Sequence, residues 1–251
     1  MGFLKKLFGG RDNGKSADGT TIYTYEDVEK PEEYSVAPVK YIDEIAEHFD
    51  KVFPDRNSSV FHELISETVH IDVNIMAPNE EQPFWVLYTN GMSDLPMTMP
   101  DDMPEELREE YSLAEVMMFL PEDWKLSEEN LKDENYYWPI RLMKMMARFP
   151  HQYHTWLGYG HTVPNYAEYE PYAENTGLNG VVFYQLKEEI SEIRTSDGNL
   201  IHVYFLLPLY KEEMEYKLEH GMDELLNRLE ELDNGILVLD PLRRNTCASK
   251  E

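Results

Sequence analysis

The sequence predicts an α+β protein whose mixed, mostly antiparallel sheet is flanked by helices. Short strand patterns and helical patterns alternate irregularly along the chain, and at least two pairs of strand patterns are joined by turn residues, as in hairpins. Of the 251 residues, 42% are hydrophobic and 12% are aromatic, so the chain can bury a substantial core. This pattern excludes an acidic disordered tail and disfavours a regular βαβ succession.

Residues 1–20 are expected to form a flexible leader, and residues 21–251 a single domain. Residues 9–20 are rich in glycine and small polar residues, which is typical of a linker. Ahead of them, residues 1–8 place Phe3, Leu4, Leu7 and Phe8 on one helical face beside two lysines. A helix this short is marginal in water, so it would form on a membrane surface or a partner, as a weak contact. The alternative is a frayed leader without a role.

The first predicted element of the domain is a helix over residues 39–53. Apolar side chains such as Ile45 and Phe49 recur there every three or four residues and create one apolar face. Pro38 and Pro54 bracket the segment, and because proline cannot continue a helix, they mark its limits. This helix is expected to pack on the sheet.

A hairpin is predicted next. Residues 69–75 alternate apolar and polar side chains, the pattern of a half-buried strand. His70, Asp72 and Asn74 share the polar face of that strand and are expected to face solvent. Turn residues follow, and residues 84–89 form the second strand.

A further strand and a central helix are predicted from two apolar runs. Residues 116–120 form a buried strand that ends at a proline. Residues 139–149 form a helix, because Pro139 suits a first helical turn and Pro150 is expected to end it. Basic side chains three and four residues apart form a stripe on another face of this helix: Arg141, Lys144 and Arg148.

The remaining elements are predicted from the same patterns. Residues 181–186 and 200–209 are strands, with a turn ahead of the second. Residues 211–232 form one or two helices, with Gly221 as a plausible C-cap between them. Residues 236–239 are expected to be a last strand.

The charge is strongly acidic. The chain has 22 Lys and Arg residues against 49 Asp and Glu residues, a formal net charge of −27. Phosphate backbones require a basic footprint, so a nucleic-acid ligand is excluded. Residues 101–134 hold 13 acidic and 3 basic residues, a net charge of −10. This charge favours a basic protein partner attracted by electrostatic steering, the alternative being that it only keeps the protein soluble.

Motifs for catalysis and cofactors are missing from the sequence. It has no Walker A loop, no Gly-x-Ser-x-Gly elbow and no complete dinucleotide fingerprint. No catalytic residue and no cofactor is therefore expected, and the chain is not expected to be an enzyme. One alternative stays open: His151, His154 and His161, with Glu168 or Glu170, could bind zinc as in a metal-dependent hydrolase. The simpler reading is three surface or hydrogen-bonded histidines.

A tyrosine-rich segment is the preferred interaction loop. Residues 159–174 interleave tyrosine with glutamate, and tyrosine offers a large contact area at low entropic cost. The turn at residues 89–94 and the loop at residues 158–165 combine polar groups, which are expected to be exposed, with turn geometry. The residues expected to bind a partner are Asn90, Ser93, Asp94, Trp156, Tyr159, His161, Asn165, Tyr166 and Tyr169.

Taken in order, several segments resemble the suppressor-of-fused domain in its bacterial form. The resemblance spans about residues 38–245, and the ordered set is more specific than any single piece. The segments are FWVLYTNGMSD at 84–94, AEVMMFLP at 114–121 followed by Trp124, WPIRL at 138–142, Phe149 with Pro150, TWLGYGHTVPN at 155–165, YFLLPLYKEEM at 204–214 and residues 221–229.

This resemblance implies an α+β domain that binds proteins. Animal members of the family sequester a transcription factor, and bacterial members resemble immunity proteins that neutralise toxins. At 251 residues, the chain is expected to lack the additional C-terminal domain of the animal members. The family offers no catalytic motif.

Composition and resemblance together predict an immunity protein or antitoxin that masks a basic toxin by direct binding. A nuclease toxin must be basic to hold its substrate, so an acidic inhibitor suits its active surface. The alternative is a general regulatory adaptor that binds another intracellular protein. With a single cysteine, Cys247, and no apolar run of membrane-spanning length, the protein is expected to be cytoplasmic and to have no transmembrane segment.

Overall fold

The computed structural model describes residues 11–16, 19, 21–25, 36–63, 68–232 and 235–248. The amphipathic start expected at residues 1–8 lies outside these residues. The strands are β1 (Arg11–Lys15), β2 (Thr21–Thr24), β3 (Ser58–Phe61), β4 (Asp72–Met76), β5 (Phe84–Asn90), β6 (Leu113–Pro121), β7 (Thr162–Pro164), β8 (Gly180–Tyr184), β9 (Glu192–Arg194) and β10 (Leu200–Leu209). The α-helices are α1 (Ile42–Val52), α2 (Glu105–Glu110), α3 (Glu134–Tyr153), α4 (Glu188–Ser191), α5 (Lys211–His220) and α6 (Met222–Leu229).

The main sheet has eight strands in the order β3-β4-β5-β6-β10-β8-β7, with β9 paired to β10. Strands β6 and β10 run parallel, and the other pairs of this sheet are antiparallel. The predicted hairpin is the pair β4–β5. The predicted fold class, a mixed and mostly antiparallel sheet flanked by helices, is confirmed.

Helices cover both faces of this sheet. On one face α3 contributes Trp138 and Met143 to the core. On the other face Phe49 of α1 stacks on Tyr88 of β5, with ring centroids 3.7 Å apart, and Leu225 of α6 joins the same cluster. The apolar face of α1 therefore packs on the sheet, as the sequence predicts.

The expectation that the first strand of the hairpin is half-buried is wrong. Strand β4 begins at Asp72, and all five of its residues are buried, with Asp72 and Asn74 only 4% and 8% exposed. The carboxylate of Asp72 contacts two imidazoles, His62 Nδ1 at 2.9 Å and His70 Nε2 at 3.0 Å. Asp72 and Asn74 are therefore packed inside the protein, whereas the His70 side chain is 33% exposed.

Helix α3 extends beyond both predicted ends. It begins at Glu134, because the side chain of Asp133 accepts a hydrogen bond from Asn135 N. Pro139 therefore lies inside the helix and cannot donate to the carbonyl of Asn135. The side chain of Asn175 fills this gap, since its Nδ2 donates to Asn135 O at 3.0 Å. The helix also passes through Pro150 and ends three residues later, so the predicted stop there is wrong.

The basic stripe of α3 is only partly solvent-facing. Lys144 is 8% exposed, and its Nζ lies 3.7 Å from Glu63 Oε1. Arg148 also pairs with the Glu63 carboxylate, which is itself buried. Glu63, which precedes the hairpin, neutralises two of the three basic residues.

Two segments near the termini differ from the expected patterns. Residues 11–15, within the expected linker, pair with β2 as a separate two-stranded sheet. Tyr25 directly follows this hairpin in the sequence, and its hydroxyl lies 2.7 Å from Thr155 Oγ1. The strand expected at 236–239 is a single bridge between Val238 and Phe119.

The last helical segment follows its prediction. Residues 211–232 contain the two helices α5 and α6, and Gly221 separates them with a φ of 89°. A positive φ favours glycine, which explains why the helices break there.

Candidate functional site

The turn after β5 requires a glycine. Gly91 has a φ of 104°, and a Cβ atom at this position would lie 1.8 Å from the carbonyl oxygen of His70. The turn therefore packs backbone against backbone on the chain that enters β4.

A buried carboxylate stabilises this turn through hydrogen bonds. Glu115 of β6 is fully buried and accepts hydrogen bonds from Thr89 Oγ1 at 2.6 Å, Ser93 Oγ at 2.7 Å and Ser93 N at 2.9 Å. Burial raises the pKa of Glu115 to about 7, although these three donors act in the opposite direction. Sequence reasoning did not single out Glu115, but a lone acidic residue inside the apolar run of β6 is a signal of such a network.

Asp94, the last residue of the turn, connects it to the start of α1. Its Oδ1 accepts from Lys40 N at 2.8 Å and from Tyr41 N at 3.3 Å. Burial raises the pKa of Asp94, and the two backbone donors oppose that shift. Asn90 and Ser93 are only 5% and 1% exposed, so the exposure expected of these two residues is wrong. They support the turn from inside.

The loop before β7 is anchored by its backbone and by an aromatic contact. Gly160 N donates to Phe183 O at 2.8 Å, and the rings of Trp156 and His161 meet edge to face at 4.4 Å. Burial is the main cause that lowers the pKa of His161 to about 4, so its imidazole is neutral at pH 7. Tyr159 projects from this loop and is 47% exposed.

The loop after β7 carries two strained tyrosines. Tyr166 and Tyr169 have φ values of 61° and 57°, a conformation that bulky residues rarely adopt. Asn165, only 2% exposed, braces the loop because its Nδ2 donates to Glu170 O at 2.7 Å. Backbone strain of this kind persists where the surrounding structure imposes it, and it often marks functional loops.

These loop tyrosines differ in their exposure. Tyr166 is 56% exposed, and Tyr169 is partly buried with the Lys211 ammonium 5.2 Å above its ring. Tyr172 is a core residue that stacks on Trp138. We call residues 159–174 the tyrosine loop. Its exposed aromatic and acidic side chains are Tyr159, Tyr166, Glu168, Glu170 and Glu174.

The structure does not unite the turn with the tyrosine loop. The turn follows β5, whereas the tyrosine loop surrounds β7, the last strand in the order of the sheet. Four strand spacings separate β5 from β7, which is roughly 19 Å. Asn90, Ser93 and Asp94 therefore lie apart from Tyr166 and Tyr169, and the binding role expected of the two groups stays a prediction.

The acidic segment at residues 101–134 does not form one patch. Its acidic residues are exposed except for Glu115, but β6 divides them into a group around α2 and a group after Pro121. A strand of this length spans roughly 27 Å. The charge is therefore spread over two ends of the molecule.

The three-histidine metal site is contradicted by the geometry. His151 is buried, with its Nε2 3.0 Å from Met92 O, and His161 packs on Trp156. Within the part of the chain that the structure describes, no three His, Cys, Asp or Glu residues converge as a metal site. Over the same residues, no helix is long and apolar enough to cross a membrane.

A comparison with family models and a comparison with solved structures find the same family. The family model of the suppressor of fused protein (SUFU) matches residues 67–244. A suppressor of fused homologue from Neisseria gonorrhoeae FA 1090 aligns with a TM-score of 0.57 and 18% identity, over 84% of this chain and 98% of its own. No curated protein matches the chain.

Two further solved structures have the same fold. The crystal structure of the Sufu–Fu complex aligns with a TM-score of 0.58 and 17% identity, covering 84% of this chain and 93% of the aligned chain. Drosophila suppressor of fused aligns with a TM-score of 0.60 and 17% identity, covering 87% of this chain and 54% of its own. At these identities the likeness concerns the fold.

Proposed function

The chain belongs to the suppressor of fused family, and from this premise we propose that it is a non-catalytic, protein-binding domain that acts as an immunity protein or antitoxin. Its partner would be a basic, toxin-like protein whose active surface it masks. The observation that carries the proposal is the tyrosine loop at the edge of the sheet. We propose that binding occurs in the cytoplasm.

The tyrosine loop has the chemistry of an interaction surface. Tyr159 and Tyr166 are 47% and 56% exposed, and exposed tyrosines in a braced loop bury large areas on binding at little entropic cost. Asn165 and the strained backbone fix the loop before a partner arrives, which reduces the ordering cost of association. Of the residues expected to bind a partner, Trp156, His161 and Tyr169 would hold the loop in shape.

A basic partner follows from the charge. The net charge of −27 attracts cationic proteins over long distances and accelerates their association. Beside the tyrosines, Glu168 and Glu170 are exposed and provide a local acidic surface. A nuclease toxin carries the complementary charge, because it must bind phosphates.

A protein complex in the same fold supports the general part of the proposal. The Sufu–Fu structure is a complex of that relative with Fu. Carried over to this chain, it supports a general regulatory adaptor as the second candidate function.

An affinity pull-down from the native host tests the proposal. The tagged full-length protein is the bait, and bound proteins are eluted across a sodium chloride gradient and identified by mass spectrometry. We expect one basic, toxin-like protein that is released as salt rises, since screening weakens the attraction between opposite charges. Capture of no partner, or of one whose release is indifferent to salt, would contradict the proposal.

A further inference from the structure

The first strand in the order of the main sheet has an open edge. Strand β3 pairs with β4 on one side, and among the described residues no other strand adjoins it. Three of its four residues are exposed, and the exposed fraction of Val60 is 40%. An open edge presents unpaired backbone groups, which another extended chain can bind.

The register shows which backbone groups of β3 face outwards. Asn57, one residue before the strand, accepts a hydrogen bond at its carbonyl oxygen from Ala77 N at 2.8 Å, so its backbone groups face β4. In an antiparallel pair this orientation alternates from one residue to the next. The two odd-numbered residues of β3 therefore bond to β4, whereas the N–H and C=O groups of Ser58 and Val60 point away from the sheet.

Both ends of this edge are fixed. At the start, the Arg56 guanidinium donates to Phe84 O at 2.7 Å and to Ala77 O at 2.8 Å. At the end, Glu63 N donates to Asp72 Oδ1 at 2.8 Å. The edge is therefore preformed, and a partner does not have to order it on binding.

The usual protections against an added strand are missing from β3. Natural edge strands are commonly blocked by proline, by charged side chains or by a bulge. The sequence of β3 is Ser-Ser-Val-Phe, and its register with β4 is unbroken. Val60 offers an exposed β-branched side chain, which pairs well with an apolar side chain on a neighbouring strand.

The side chains around β3 balance in charge. Apart from His62, three basic and three acidic side chains lie next to the strand in sequence or in its ion pairs: Arg56, Lys144, Arg148, Asp55, Glu63 and Asp72. A segment that docks on this edge therefore needs no charge of its own.

The charge of the whole molecule distinguishes the two kinds of strand that could be added. A second copy of this chain would bring two bodies of net charge −27 edge to edge, which like-charge repulsion opposes. A segment of a basic protein would be attracted to the same edge. The balance of long-range charge therefore favours a basic partner over a dimer.

We propose that β3 is a docking edge, where an extended, uncharged segment of a basic protein partner adds a ninth strand to the eight strands of the main sheet. The segment bonds to the outward N–H and C=O groups of Ser58 and Val60 and places an apolar side chain beside Val60. The inference rests on the proposed function for the charge of the partner. The site it assigns lies at the opposite end of the strand order from the tyrosine loop.

Nuclear magnetic resonance of the full-length protein tests this docking edge. The probe is the peptide Ac-Lys-Thr-Val-Thr-Val-Thr-Lys-NH2, whose β-branched residues favour an extended conformation. We expect the amide signals of Ser58 and Val60 to shift and saturate, and their hydrogen exchange to slow at least about tenfold, because each N–H gains an acceptor. The amides of Ser59 and Phe61 already bond to β4 and are the internal reference. Shifts that do not saturate, or equal slowing at all four residues, would overturn the inference.

Matched variants test the same backbone groups. Val60→Pro removes an outward N–H without removing a bond to β4, whereas Val60→Ile keeps the N–H and the β-branched apolar side chain. We expect the proline variant to bind the peptide at least about tenfold more weakly and the isoleucine variant to bind it as the wild type does. Ser58→Pro removes the other outward N–H and replaces Val60→Pro if melting temperatures show that Val60→Pro does not fold. A folded proline variant that binds like the wild type would contradict the docking edge.

Two further measurements test the kind of occupant. Sedimentation velocity of the free protein should show a monomer, and a dimer that Val60→Pro abolishes would place a second copy on the edge and overturn the inference. The peptide with glutamate in place of both lysines should bind about tenfold more weakly, since the protein repels it. Equal binding of the two peptides would overturn the assignment of a basic partner.

The inference and the proposed function fail in distinguishable ways. If the lysine peptide does not bind, and Val60→Pro retains a basic partner that variants of the tyrosine loop lose, the docking edge is wrong and the proposed function stands. If the lysine peptide saturates the Ser58 and Val60 signals while no partner is captured from the host, the docking edge stands and the proposed function is wrong.

Discussion

The guanidinium of Arg243 donates two hydrogen bonds, of 2.7 and 2.5 Å, to the carboxylate of Glu213. Glu213 lies in the first turn of α5 and is fully buried, and Thr246 N donates to it at 2.9 Å as well. The pair fixes the C-terminal tail to the body of the domain. The tail is thus an integral part of the fold.

Removal of this arginine should destabilise the protein strongly. Arg243→Ala leaves the buried Glu213 carboxylate without its cation, and we expect the free energy of unfolding to fall by about 3–5 kcal/mol. Urea denaturation at pH 7 measures the change. Arg244→Ala is the control, because Arg244 is half-exposed and pairs with an equally exposed Glu231, so the expected loss is below about 1 kcal/mol. Equal losses in the two variants would contradict this account of the pair.

A methyl group at Gly91 should prevent the turn after β5 from forming. In Gly91→Ala the new Cβ atom would lie 1.8 Å from His70 O, so the backbone of one segment has to move. Gly160 is the matched control, because it also has a positive φ, of 77°, but its Cβ would meet nothing within 4 Å. We expect Gly160→Ala to cost about 1 kcal/mol and Gly91→Ala several times more, as measured by thermal unfolding. Similar melting temperatures for the two variants would show that the turn tolerates the methyl group.

Glu115 should make the stability fall as the pH rises towards 8. Burial raises its pKa in the folded state from 4.5 to about 7, so the folded state holds a proton that the unfolded state has released. The stabilisation is complete below about pH 4.5 and is lost as the pH rises through about 7. Glu115→Gln has no proton to lose, so the unfolding free energy of the wild type should decline relative to this variant by roughly 2.5 kcal/mol between pH 5 and 8.

Urea denaturation across that range measures the effect of Glu115. Glu106→Gln, on the exposed surface of α2, should differ from the wild type by a constant amount. If the difference between wild type and Glu115→Gln is also constant with pH, the Glu115 carboxyl does not titrate as described.

The contribution of His151 to stability should depend on pH in the opposite direction. Burial lowers its pKa in the folded state from 6.5 to about 4, so the unfolded state binds more protons between these values. Stability is therefore lost as the pH falls from about 6.5 to 4. His151→Gln retains an N–H donor for Met92 O but does not titrate. Acid should therefore lower its free energy of unfolding by roughly 3 kcal/mol less than that of the wild type.

Acid unfolding curves followed by circular dichroism test the His151 prediction. The control is His220→Gln, since the His220 side chain is 47% exposed and its replacement should leave the curve unchanged. Curves for His151→Gln that overlay the wild type would rule out this contribution.

Local patterns were sufficient to predict most elements of the fold. The apolar spacing of α1 and the run of β5 are decided by neighbours in sequence, and both elements were predicted within a few residues. The start of α3 was not, because Pro139 is tolerated inside the helix only where Asn175, far along the chain, donates to the Asn135 carbonyl. The polar row of β4 was misread for the same kind of reason: whether a second layer covers it depends on contacts with distant residues.

The site was less predictable than the fold. Turn chemistry located the turn after β5, but the loop expected at residues 158–165 contains strand β7 (Thr162–Pro164). Exposure depends on packing, and Asn90, Ser93 and Asn165 are buried. Exposure at Tyr159 and Tyr166 agrees with the sequence-based expectation, yet their role in binding stays a prediction. The distance between the turn and the tyrosine loop follows from the order of the strands, which no local pattern reveals.

The central claim, a protein-binding surface at the tyrosine loop, is tested most directly by quantitative capture of the partner on paired variants. The test variant is Tyr159→Ser with Tyr166→Asn, because asparagine tolerates the positive φ of residue 166. The control is Tyr23→Ala, which removes a tyrosine that is 50% exposed outside the loop. Melting temperatures of all baits verify that they are folded.

We predict that the double variant captures at least about tenfold less partner than the wild type, since two tyrosine anchors each contribute about 1 kcal/mol or more to binding. The Tyr23→Ala bait should capture as much as the wild type. Equal capture by the folded double variant and the wild type would contradict the claim that this loop binds the partner.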